Sequence, residues 1–299
     1  MKNNKYEIDM CNGTLMDKLI SFSLPLMLSG ILQLLFNAVD IIVVGRFTGS
    51  QALAAVGSTT ALINIFTNLF IGISLGANVL AARFYASGKE KEMSETVHTS
   101  ITLALISGLV MALAGVLLAR FALNLMGTPN DVIDQSVLYM RIYFLGMPFF
   151  MLYNYGAAIL RAVGDTKRPL FFLVISGMTN AVLNLVLVIV FHMGVAGVAI
   201  GTIVSQLISS ILVLRCLYTS NTSYRLYFSK LGIKTQYLKQ IFQVGIPAGI
   251  QSTVINLSNA LLQSSVNSFG SVAMAGYTAA NNIFGFLYMS VNAVPQSCM

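Results

Sequence analysis

Eight apolar runs organise the chain, at 19–44, 52–82, 96–119, 135–160, 170–191, 195–214, 240–267 and 273–299. A helix rises about 1.5 Å per residue, so runs beyond about 18 residues are long enough to cross the hydrocarbon core of a bilayer. The pattern predicts an all-α, polytopic integral membrane protein. Most connections between the runs are short; the stretch 215–239 is not. The first run holds Gln33, Asn37 and Asp40 and lacks a small-residue cleavage site, which excludes a cleaved signal peptide.

Composition agrees with the pattern. Hydrophobic residues make up 56% and charged residues 9%, against about 25% charged in soluble domains. The segment Gln240–Met299 contains no charged side chain, and no soluble domain of that size wets its surface so. Three separated cysteines (Cys11, Cys216 and Cys298) and two histidines (His98 and His192) give neither a disulfide framework nor a metal motif. The expected set of metal ligands is therefore empty.

The +7 net charge is distributed by loop. Fourteen of the 17 basic residues lie in the N-terminal tail, in the loops after runs 2 and 4, and in the stretch after run 6. Only Arg46, Arg120 and Arg141 fall on the other side. Cytoplasmic loops carry this excess of Lys and Arg, so the N-terminus is expected in the cytoplasm of a cell (plasma) membrane protein. A basic face for RNA or anionic lipid explains the charge but not its alternation.

The long stretch divides the chain. Tyr224, Leu226, Tyr227, Phe228, Leu231 and Ile233 interleave with its basic residues, as expected of a linker lying on the cytoplasmic leaflet. After it the beginning of the chain recurs. Pro25, Asn37–Ala38, Phe47, Gly49–Ser50 and Ala52-Leu-Ala54 are echoed by Pro247, Asn259–Ala260, Phe269, Gly270–Ser271 and Ala273-Met-Ala275. That is a parallel repeat of the sort transporters are built from. The expected organisation is a tail (1–18), a six-helix N-lobe (19–214), a basic cytoplasmic linker (215–239) and a partial C-lobe (240–299). With an apolar run reaching Met299, the chain is expected to be truncated after about eight of twelve helices.

Asp40 is the only acidic residue inside a run. A charge at bilayer depth costs about 2.5–3.5 kcal/mol on insertion scales, and such residues mark ion paths and proton relays. Ser29, Gln33, Asn37 and Asp40 share one helix face at steps of four, four and three. Ser176, Asn180 and Asn184 line run 5; Thr202, Ser205, Gln206 and Ser209 line run 6; Thr60, Asn64 and Asn68 line run 2. For a single Asn or Ser the ordinary role is a hydrogen bond between helices. Asp40 could instead snorkel to the outer surface, only about five residues or 7–8 Å away; as a lone intramembrane acid it is read as the relay.

The motifs resemble those of the multidrug and toxic compound extrusion (MATE) transporters. They are Asn37-x-x-Asp40-x₄-Gly45-Arg46, Ala52-Leu-Ala-Ala-Val-Gly57, Gly72-x₃-Gly76-Ala-Asn, Tyr139-x-Arg141 to Gly146-x-Pro148, Leu160-Arg-Ala-Val-Gly-Asp-Thr-Lys-x-Pro169, and Asn184 to Gly197. The resemblance, closest to the DinF/MepA-like branch, implies two six-helix lobes. It implies secondary active efflux of cationic or amphipathic drugs and toxins, by antiport with protons or sodium. It further implies cation coupling at Asp40, Asn184 and Thr202, to which Asn180, one turn from Asn184, is added here. Val188 stands where family members often carry an acid, and Ile255 where another branch has a glutamate. The first departure removes a ligand from a hard cation, which wants several oxygens, so protons are favoured over sodium.

Gln33, Asn37, Asn64, Asn68 and Gln206 are the expected cavity-lining residues. Pro25 and Pro247 each remove one helix hydrogen bond; they serve either as hinges or as fixed shapers of the helix start. No cofactor beyond a proton or sodium gradient is expected. The expected partners are a small cationic or amphipathic substrate, the coupling cation and the lipid bilayer, without nucleic acid, and the full-length protein is expected to be monomeric. A lipid-linked oligosaccharide flippase would line its cavity with several basic residues, and here only Arg141 lies within a run. An intramembrane enzyme needs paired acids or a Ser/His pair within the spans, and Asp40 has neither. A channel or receptor explains neither the repeat nor the motifs.

Overall fold

The computed structural model describes residues 14–126, 128, 132–267, 284 and 291. Every regular element among them is helical. In order these are α1 (Leu15–Phe47), α2 (Ser50–Ala86), α3 (Glu90–Leu125), α4 (Ile133–Leu145), α5 (Met147–Ala162), α6 (Lys167–Leu185), α7 (Gly194–Thr219) and α8 (Thr235–Asn267). A π-helical turn, Val186–Val190, extends α6, and a 3₁₀ turn, Phe228–Lys230, lies between α7 and α8. Lipid offers no partner to a backbone N–H or C=O, so apolar segments satisfy themselves as helices.

Among the described residues, five helices are long and apolar enough to cross a membrane, six when α4 and α5 count as one span. Those two are bent by 46°, where the sequence pattern predicts a single run, 135–160. Pro148, in the first turn of α5, has no N–H to continue the ladder from α4 and fixes the break at Gly146. The predicted run 240–267 forms the 33-residue helix α8. It falls short of the same apolarity, because Gln243, Gln251, Ser252, Thr253 and Asn256 dilute it. Run 273–299, apart from residues 284 and 291, and with it the repeat from Phe269 onward, lies outside the described residues.

Tight reversals separate the spans. Gly49 between α1 and α2 (φ 96°) and Gly164 before α6 (φ 86°) adopt left-handed backbone that side chains strain. The bundle face expected in lipid is plain on α3, where Leu109, Leu113, Leu117, Phe121 and Leu125 follow at steps of four and are all exposed. Its opposite face packs on α4 and α5, with Phe144 lying directly over Gly115 and the Pro148 backbone over Gly108.

α8 lies along α2 through two glycine pairs of the same spacing. A side chain at Gly72 would strike the Gly249 backbone, and one at Gly76 the Ile241 carbonyl and Gly245. Lipid tails are as apolar as leucine, so close van der Waals approach through small residues is what holds two such helices together.

The basic loops gather at one end of the bundle. Asp165, fully buried, accepts from the Arg168 backbone at 3.1 Å and pairs with its guanidinium. Arg168 also reaches Cys216 Sγ at 3.0 Å and the Tyr224 hydroxyl at 3.5 Å. The linker is shorter than the predicted 215–239. α7 runs on to Thr219 and α8 begins at Thr235, because neither end of the stretch holds a helix breaker. The remaining residues are seated on the bundle, with the Leu226 N–H donating to the Leu217 carbonyl at 3.1 Å.

Candidate functional site

The site forms where α1, α6 and α7 meet. Asn184, fully buried on α6, donates from Nδ2 to Asp40 Oδ1 of α1 at 2.5 Å and to Asn180 Oδ1 at 3.3 Å. Asn180 donates to Thr202 Oγ1 on α7 at 3.4 Å, and Thr202 donates onward to the Val198 carbonyl at 3.0 Å. The donors therefore run in one sense, from the asparagine pair to the hydroxyl, and separately onto the carboxylate. An ionised aspartate is acceptor-only and fits this arrangement.

Local sequence explains the assembly. Asn180 and Asn184 are four apart and share a helix face, and Thr202 lies opposite them on the antiparallel neighbour. Gly201 makes the close approach possible, since a Cβ there would collide with Asn184 Oδ1. That oxygen is buried with no hydrogen-bond partner.

The four residues expected to couple the cation are thus brought together; the other expected residues are not all with them. Gln33 and Asn37 are exposed on α1, and Asn64 is exposed on α2. Asn68 is half-buried and donates to the Asn64 carbonyl at 2.7 Å. Gln206 is half-buried and faces the Tyr143 hydroxyl. Pro25 is buried within α1 and Pro247 exposed within α8. Val188 sits in the π turn in the apolar core, and Ile255 is exposed on α8.

Sequence reasoning missed two tyrosines. Tyr139 and Tyr143 of α4 have ring centroids 6.0 Å apart, and Gln206 of α7 faces the Tyr143 hydroxyl. Their spacing of four puts two hydroxyls on one face of α4, a signal of the same kind as the asparagine pair. Conversely, several striped hydroxyls belong to their own helices. Ser29 donates to the Pro25 carbonyl at 2.8 Å, Thr60 to Val56 at 3.0 Å and Ser205 to Thr202 at 2.7 Å. Among the described residues no group of three or more His, Cys, Asp or Glu side chains gathers.

The MatE family profile matches residues 25–186, more than half of the chain, and spans the helices that carry Asp40 and both asparagines. The chain belongs to the MATE family. This MATE chain is 34% identical over 277 residues to the probable multidrug resistance protein YoeA of Bacillus subtilis, covering 90% of this chain and 59% of YoeA. It is 29% identical to the probable multidrug resistance protein YpnP of the same organism, covering 92% of this chain and 61% of YpnP. The chain therefore spans about three-fifths of the length of these relatives. The fold matches a solved structure described as the outward-facing conformation of a multidrug resistance MATE family transporter, with a TM-score of 0.91 and 22% identity. That match covers 99% of this chain and 66% of the other. A multi-pass membrane protein of a transporter family is the common ground of these findings.

Proposed function

We propose that this chain supplies the cation-coupling lobe of a secondary active exporter of cationic or amphipathic drugs and toxins. The observation that carries the reading is the Asp40–Asn184–Asn180–Thr202 network, tied across three helices at 2.5, 3.3 and 3.4 Å. An ionised Asp40 holds Asn184 as an acceptor. A protonated Asp40 presents a donor, and the nearby unpartnered Asn184 Oδ1 is the acceptor that suits it. The change alters what ties α1 to α6, and Pro25 gives α1 a point at which to bend. Gln33 and Asn37, exposed on the same helix, would line the substrate cavity between two lobes, with Asn64, Asn68 and Gln206 completing it.

The network contains one carboxylate, and one carboxylate suffices for a proton whereas sodium prefers more oxygen ligands. Proton antiport is therefore the favoured coupling, in a plasma-membrane protein whose N-terminus and linker face the cytoplasm. The test is reconstitution of the protein carrying this chain into vesicles under an imposed pH gradient or an imposed sodium gradient. Transport of a fluorescent cationic dye should follow the pH gradient. Dye movement that follows sodium alone would replace the proton with sodium, and movement under neither gradient would remove the exporter reading.

A further inference from the structure

At the basic end of the bundle, away from the Asp40 network, one histidine has both ring nitrogens engaged by backbone. His98 of α3 is 4% exposed. Its Nδ1 lies 2.6 Å from the Ser94 carbonyl, and its Nε2 accepts the Tyr227 N–H of the linker at 3.0 Å. A carbonyl only accepts and an N–H only donates. The ring must therefore carry its hydrogen on Nδ1 and a bare lone pair on Nε2. That is the neutral imidazole, in one tautomer. The next residue of α3, Thr99, accepts the Lys234 N–H at 3.3 Å. Two adjacent side chains thus pin the segment that leads into α8.

We propose that His98 is the positioning residue that latches the linker to the bundle, and that protonation of its ring releases it. A second proton on Nε2 would point at the Tyr227 N–H, turning a hydrogen bond into a donor–donor clash. The Tyr227 ring, stacked on the imidazole at 6.2 Å and 10°, carries Arg225 at 5.1 Å and Lys230 at 4.8 Å over it. Those cations oppose a charged imidazole. Glu95, one turn of α3 away, interacts with the Tyr237 hydroxyl of α8, as does Glu92 more weakly. A neutral ring holds the latch closed, and a ring protonated on both nitrogens leaves the Tyr227 N–H without an acceptor. Because the linker joins the coupling lobe to α8, opening would loosen the tie between that lobe and the helix. That consequence rests on the exporter reading; the latch itself does not.

Amide hydrogen exchange on the purified protein in lipid nanodiscs tests the latch without any transport measurement. The Tyr227 N–H reports it, and the neighbouring Leu226 N–H is the internal control, because its acceptor is the Leu217 carbonyl, which does not titrate here. Between about pH 8 and about pH 5.5, on either side of the ordinary imidazole range, Tyr227 protection relative to Leu226 should fall on the order of tenfold. His98→Gln carries an amide oxygen and an amide N–H at similar reach; it should hold Tyr227 protected at both pH values. His98→Ala should leave it unprotected at both, with Leu226 unchanged. Tyr227 protection independent of pH in the unaltered protein would overturn the proposal, as would a His98→Gln variant with the same pH dependence. Failure of dye transport alone would leave this result standing.

Discussion

Asp40 and Asn184 have different tasks at one contact, and substitution separates them. Asn184→Ala removes the bonds to Asp40 Oδ1 and Asn180 Oδ1, of which the one to the carboxylate is worth about 1.5–3 kcal/mol. Proton-driven export should weaken and yet persist, because the titrating group remains; an export rate equal to that of the unaltered protein would deny the contact a role. Gly201→Ala places a methyl group against Asn184 Oδ1. Overpacking costs about 1–3 kcal/mol, and thermal unfolding in detergent should show it as a lowered midpoint. These residues were legible in the sequence because a polar side chain in an apolar run has little else to do. Tyr139 and Tyr143 were not, since an aromatic ring counts as apolar in a run and its hydroxyl goes unnoticed. Ser29, Thr60 and Ser205 misled in the opposite way. A hydroxyl can bond its own helix's carbonyl, and no spacing reveals that it does.

At the level of elements, the long runs of Leu, Ile and Val gave the helices, and left-handed glycines such as Gly164 gave their ends. The break at Gly146 was harder to read, because Pro148 within an apolar run is compatible with either a kink or a continuation. Gly72-x₃-Gly76 was legible only as a motif. Its physical meaning emerged when Gly245 and Gly249 of α8 were found against it, a pairing across distant sequence that no local pattern encodes. The pairing makes a prediction. Gly245→Ala sets a methyl group against the Ile73 and Gly72 backbone, which cannot give way as a flexible side chain would. Separation of α2 from α8 should result, read as a shorter-lived cross-link between cysteines introduced along the two helices. Undiminished cross-linking would show that the glycines are not what sets the distance.

Over the whole molecule, the alternation of basic loops and the contacts among them agree. Arg168 with Tyr224, and His98 with Tyr227, bring three basic segments to one end. With the native cysteines replaced, an impermeant thiol reagent applied to intact cells should label Thr48→Cys and spare Ser87→Cys and Ser229→Cys. The reverse pattern would invert the orientation and the direction of export. The central claim is that Asp40 carries the coupling proton, and Asp40→Asn tests it most directly. Asparagine keeps the size and accepts the Asn184 N–H, but it cannot ionise. It also removes a costly intramembrane charge without opening a void. In vesicles under an imposed pH gradient, dye export by Asp40→Asn should fall to the level of empty vesicles while the amount of folded protein stays unchanged. Export that survives at the unaltered rate would place the coupling group elsewhere.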